Sequence, residues 1–208
     1  NIFNNYINEL NKYNANLLNN VFRTWIYVQT IDLNYDEMVN ARIDIFNENG
    51  LNKNTHYITS TGIEGRHIEN NTQVIMDSYA IVGINDSQIK YLKALDNLCP
   101  THDYGVTFER GVSIQYNDRC HIFISGTASI DNKGEILYIG DINKQIERTF
   151  INIDALLYEK NANRKNVANY IIYLRDIADA DNVNSILKDY IGETPYILVL
   201  ADVCRPRW

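Results

Sequence analysis

Two arginines on apolar strands, Arg110 and Arg205, have the residue type and setting that point to chemistry. Arg110 follows Glu109 in a stretch that carries Thr107, Phe108, Val112, Ile114 and Tyr116. Arg205 follows Cys204 where the apolar run PYILVLADV ends. A guanidinium set in an apolar strand is costly unless something pairs with it. Glu109 is a poor partner for Arg110, because adjacent strand residues point to opposite faces. That leaves an acidic residue from elsewhere or an anionic ligand. A carboxylate suits the arginine fork, which presents paired donors and keeps its charge. Ser125, Gly126, Thr127 and Ala128 end the next strand, and small residues there let a ligand approach the main chain closely. The expectation is that Arg110 and Arg205 converge beside residues 125–128 and hold an anionic small molecule, with Tyr104 and Phe108 as walls. Structural readings compete with it. Either arginine could sit in an ion pair, with Glu109 or Asp202 as local candidates. The aromatics could be ordinary core, and the small residues a plain exit loop.

Other chemistries find little support. The histidines show no metal-ligand spacing, and no nucleophile elbow or phosphate loop occurs. No metal or other cofactor is expected. Cys99, Cys120 and Cys204 are odd in number with no CxxC spacing, which predicts reduced thiols in a cytoplasmic protein. The 208 residues carry a net charge of −7 with a pI near 5.1, an argument against nucleic acid as main partner. Hydrophobic content of 45% and charged content of 22% are those of an ordinary globular chain. No apolar run is long enough to span a membrane, and no signal-peptide pattern opens the sequence.

The elements that must position these residues follow from periodicity. Ile2, Tyr6, Leu10, Tyr13 and Leu17 recur at three-to-four spacing and predict a helix over residues 2–18. It starts with no cap, so the protein is expected to begin earlier. Residues 22–31 read as a strand. A second helix opens at Asn34 and closes at Gly50, placed as a C′ glycine. Strands are expected over 57–63 and 74–82, and a helical or irregular crossing over 87–98. The hairpin of residues 102–131 turns at Asn117-Asp118, both tolerant of the left-handed conformation. A helix over 144–157, a strand over 166–174, a helix over 181–191 and a strand over 195–203 complete the chain.

The two halves look alike. Tyr27 matches Tyr173 at an offset of about 146, and Tyr57 matches Tyr196 and Arg66 matches Arg205 at about 139, counting along the sequence. Helix, strand, helix, strand recurs in both. The expected units are residues 1–98, lacking a first hairpin, and 99–208, lacking a last strand.

Several short motifs then occur in a telling order. They are Ile124-Ser125-Gly126; Gly140, Asp141, Gln145 and Asn152; Tyr173 to Asp176; Val183-Asn184; and Cys204-Arg205-Pro206. In this the second half resembles the Rid/YjgF family, long labelled endoribonuclease L-PSP or translation inhibitor. The whole chain resembles the chorismatase-like branch, whose members carry two such units. The matches are Arg23-Thr24-Trp25, Ser60 to Ile63, Tyr104 to Arg110 and Ser125 to Ile130. The resemblance implies an α+β fold of tandem Rid/YjgF-like (chorismate-mutase-like) units, with a mixed sheet covered by helices on one face. It implies a homotrimer with sites near subunit contacts.

For function, the resemblance implies that Arg205 grips a substrate carboxylate and Arg110 helps with a second one. The family's catalytic acid is a Glu on the strand after the Cys-Arg-Pro motif, beyond Trp208, so no catalytic residue is assigned here. Glu109 stands where chorismatases usually place a small residue. The expected activity is hydrolysis of an enol ether or imine of a small carboxylate, by general-acid protonation and water attack. The alternatives are a Rid-type enamine/imine deaminase and a non-catalytic ligand-binding module. The older ribonuclease label fits an acidic chain poorly.

Overall fold

A computed structural model describes residues 2–69 and 71–205 of the chain. Pro206, which the sequence suggests would stiffen the Arg205 loop, lies outside the described residues.

The first apolar stripe folds as two helices. α1 spans Ile2–Asn11 and α2 spans Leu17–Asn20. Asn14 adopts a positive φ of 52° between them, and the Asn16 side chain caps α2 by accepting from the Asn19 N–H. The single helix expected over 2–18 is broken there. β1 follows at Val21–Val28, then α3 at Ile31–Glu48. Gly50, at φ 81°, closes α3: its N–H bonds Asn47 C=O while Leu51 N–H reaches Phe46 C=O. This is the glycine-dependent helix stop read from the sequence. β2 (Thr59–Glu64) runs parallel to β1, and β3 (Val74–Ala80) runs antiparallel on its other edge.

Residues 86–92 correct the sequence reading. After a short 3-10 turn, Ile89–Leu92 form a strand, β4, on the outer edge of the hairpin β5 (Gly111–Gln115) and β6 (Cys120–Ile124). Four residues carry too little periodicity to announce a strand. The ladder with β5, a tertiary contact, creates it. The Asn117-Asp118 turn forms, and Tyr116 N–H bonds Arg119 C=O across it at 2.8 Å. α4 (Ile142–Tyr158), β7 (Tyr170–Leu174), α5 (Ala180–Ile191) and β8 (Tyr196–Leu200) follow, with β7 and β8 parallel.

Both halves thus contain a helix, a strand, a helix and a parallel partner strand. Their ladders refine the residue matching. In the first half Arg23 pairs with Thr59, 36 residues on; in the second Tyr170 pairs with Tyr196, 26 residues on. If Tyr27 is matched to Tyr173, Tyr196 then falls opposite Ser60 and not Tyr57, and Arg205 no longer matches Arg66. The shorter α5 accounts for most of the contraction. Among the described residues β1 is paired on both edges, whereas β7 is paired only by β8.

The helices cover their sheets with separate cores. Phe3, Leu10, Val39, Phe46 and Ile58 pack α1 and α3 around β1 and β2. Phe150, Leu174, Val183 and Leu187 join α4 and α5 to β7. The motif residues around α4 are structural. Gly140, at φ 80°, turns the chain into Asp141, whose carboxylate caps α4 on Lys144 N–H. Asn152 is fully buried and donates Nδ2 to Ala128 C=O and Ile130 C=O, both at 3.0 Å. It clamps the strand exit that follows β6. Asn152→Leu should therefore lower stability by about 1–3 kcal/mol in urea unfolding, because two buried carbonyls each lose one of two donors, Ala128 C=O keeping Ile130 N–H and Ile130 C=O keeping Arg148 Nε. Unchanged stability would show that the clamp contributes nothing.

Candidate functional site

β2 is the seam of the molecule. Its start bridges Glu109 in parallel through Thr59, and its end bridges Val203 antiparallel through Ile63. Ser125 fastens the seam. Its hydroxyl accepts from Ser60 N–H at 2.9 Å and donates to Glu109 C=O, while its N–H bonds Arg110 C=O. Gly126 N–H reaches Ser60 C=O at 3.3 Å. A Cβ on Gly126 would stand 3.3 Å from the Thr61 methyl, a tight contact that a side chain there would have to push back. The small residues 125–128 do sit beside a cavity, but much of their polarity is committed to holding strands together. Thr127 donates its hydroxyl to Ser125 C=O, and Ala128 C=O accepts from Asn152.

The cavity has a volume of about 1220 Å³. Residues 125–128, Tyr104, Phe108 and Arg205 all line it. Arg205 lays its guanidinium 4.6 Å from the centre of the Tyr104 ring and donates Nη1 to Gly134 C=O at 3.3 Å. Asp202 does not take it. That carboxylate instead lies 3.5 Å from Arg175, which also pairs with Asp32 at the start of α3.

Arg110 behaves differently from the expectation. It is buried and is not among the lining residues. Its Nε and Nη2 converge on Cys99 C=O at 3.2 and 3.0 Å, and its charge lies 5.4 Å from the ring centres of both Tyr104 and Phe108. A carbonyl dipole and two aromatic faces supply what the sequence assigned to a carboxylate. Glu109 diverges from it, as strand alternation requires, and accepts from Tyr57 N–H at 3.0 Å. The two arginines therefore meet at opposite dealings with one ring: both flank Tyr104, and only Arg205 borders the cavity.

Two lining cations received no role from the sequence. Arg23 on β1 is 5% exposed, donates Nη2 to the Thr61 hydroxyl, and leaves Nη1 without a hydrogen-bond partner. Burial pulls it down to about 10. Arg42 on α3 is 2% exposed, donates Nε to the Thr107 hydroxyl at 3.1 Å, and leaves Nη2 unpartnered. A signal for Arg42 existed: it falls on the buried stripe of Met38, Val39, Ile45 and Phe46, where a charge needs explaining. Arg119 and Lys160 line the cavity too, and among the described residues no Asp or Glu does. In a chain of net charge −7 the cavity is locally cationic.

The titratable groups beside Arg205 are held in their protonated forms. Burial pushes the Tyr104 hydroxyl up to about 12, against the opposing pull of Arg110 and Arg205. Burial likewise raises the Cys204 thiol, which is hydrogen-bonded with Tyr35. Cys99 is buried and Cys120 exposed; all three cysteines are free thiols. Among the described residues no cluster of His, Cys, Asp or Glu could hold a metal, and no helix is long and apolar enough to cross a membrane.

The endoribonuclease L-PSP family matches residues 112–203. A RutC family protein of Pyrococcus abyssi is 33% identical over 84 residues, covering 40% of this chain and 66% of that protein. One of Pyrococcus horikoshii is 31% identical over 84 residues, covering 40% of this chain and 67% of that protein. The chain thus spans about two thirds of the length of these relatives. A chorismatase crystal structure superposes with a TM-score of 0.79 at 20% identity, covering 99% of this chain and 65% of that one. Its fold, with two Rid-like units, is the fold seen here. Sequence and architecture together make this chain a member of the Rid/YjgF superfamily, the endoribonuclease L-PSP family, with a fold like that of the chorismatase structure.

Proposed function

We propose that the cavity binds a small carboxylate and that the protein hydrolyses an enol ether or imine of it, with Arg205 as the grip. The observation that carries this reading is the cationic lining around Arg205, Tyr104 and residues 125–128, with no carboxylate beside it among the described residues. Such a lining attracts and desolvates an anion, and the arginine fork orients it. In the same reading residues 1–98 and 99–208 are the two units, Ser125 is a scaffold residue, and copies of the protein associate as a trimer.

The lining also favours a second reading. General-acid protonation needs a group that can release a proton near neutral pH. Tyr104 and Cys204 are both shifted away from that range, no lining Asp or Glu replaces them among the described residues, and the lining imidazole of His121 spends Nε2 accepting from Arg119 Nε at 3.2 Å. A ligand-binding module without turnover fits this arrangement.

Two measurements test these readings. Release of pyruvate from chorismate, or of ammonia from a 2-imino acid, separates the two hydrolytic activities. Carboxylate binding with neither product supports the binding module, and no binding of either compound rejects the proposal. Arg205→Lys should weaken carboxylate binding about tenfold or more, because the paired donors are lost. Arg110→Lys should act on stability instead, by about 2 kcal/mol in urea unfolding, since its charged bonds to Cys99 C=O hold the strand in place. A stable Arg110→Lys protein with lost affinity would return Arg110 to the ligand site.

A further inference from the structure

Arg23, like Arg42, is a buried lining cation with a donor that packing leaves unpartnered. It lies on β1 with Trp25 two residues on, on the same face, and the guanidinium sits 4.5 Å from the indole centre. Thr61, across the ladder on β2, accepts from Nη2. Nη1 has no hydrogen-bond partner and is itself closed to solvent, in a residue that borders the cavity. The nearby phenols of Tyr27 and Tyr173 are neutral, both raised chiefly by burial. A buried cation holding one hydroxyl, one indole face and one idle donor is a costly arrangement for structure alone. The same Thr61 that holds Arg23 packs its methyl against the position of Gly126. Arg23 and Gly126 therefore share Thr61 as a neighbour on the cavity lining.

We infer that Arg23, Trp25 and Thr61 form a second anion seat, which takes a carboxylate or an oxyanion of similar size on Nη1 beside Gly126. The inference rests on this being the ligand cavity proposed above, and it adds a binding residue from the first half of the chain. The occupant is planar or small, because the indole covers one face of the guanidinium and Gly126 leaves little height. Thr61 fixes the fork, so the anion meets a preorganised donor.

Trp25 reports on the seat directly. These 208 residues contain two tryptophans, Trp25 and Trp208, so in the 208-residue chain Trp208→Phe leaves Trp25 as the sole tryptophan. Its quenching is measured with iodide and with neutral acrylamide at constant ionic strength, with and without acetate. The seat predicts saturable iodide quenching that acetate suppresses, and acrylamide quenching that acetate leaves within twofold. Arg23→Met should lower the iodide constant at least fivefold while acrylamide stays within twofold. Arg23→Gln, which keeps the Thr61 donor but not the charge, gives the same readout if the methionine variant does not fold. Iodide quenching that is absent in the parent, indifferent to acetate, or equal in the variants overturns the seat. The two ideas fail separately. Lost product release with intact acetate displacement removes the hydrolytic reading and leaves the seat. Unchanged quenching in the variants removes the seat and leaves the Arg205 reading.

Discussion

The Ser125 hydroxyl, buried between Ser60 and Glu109, is the contact on which the rest depends. It closes β2 against the hairpin, and β2 in turn carries the bridges to Glu109 and Val203. A buried hydroxyl that both donates and accepts is satisfied, whereas the neighbouring Thr59 hydroxyl on the same seam has no partner. Gly126 next to Ser125 lets Thr61 come close enough for the strands to meet. The geometry of the cavity wall is a by-product of this joint. Residues that read as a ligand floor in the sequence also fasten this joint.

The second constraint is charge. Arg23, Arg42 and Arg205 gather on one cavity from β1, from α3 and from the exit of β8. Bringing cations together in a poorly solvated space opposes folding unless each is satisfied. The structure meets this unevenly. Arg110 is satisfied by a carbonyl and two rings, and Arg205 by a carbonyl and one. Arg23 and Arg42 each keep a donor idle. The acidic residues are used elsewhere, as in the Asp32–Arg175–Asp202 group that ties α3 to the end of β8. An idle, desolvated donor is a poor element of a scaffold and a good element of a binding site.

Local rules were legible where a residue's own backbone preference settles the matter. Gly50 stops α3, Asn117-Asp118 turn the hairpin, and Glu109 and Arg110 diverge. Long periodic stretches gave α3, α4 and α5, within a few residues at their ends. The ordered motifs of the second half pointed to the superfamily, because their spacing mirrors the order of its strands and helices.

Other features depended on partners far along the chain. β4 exists because β5 offers it a ladder. The helix expected over 2–18 breaks at Asn14 because the chain must turn into β1. Arg110 looked like a ligand residue because the sequence cannot show that Cys99 C=O would face it. Arg23 and Arg42 came together only through folding, which buries residues from separate elements on one cavity. The sequence alone determined which side chains carry charge onto apolar elements and where the backbone must turn. The tertiary structure decided which of those charges are satisfied and which still hold an open donor, since that depends on groups brought near by packing rather than by sequence.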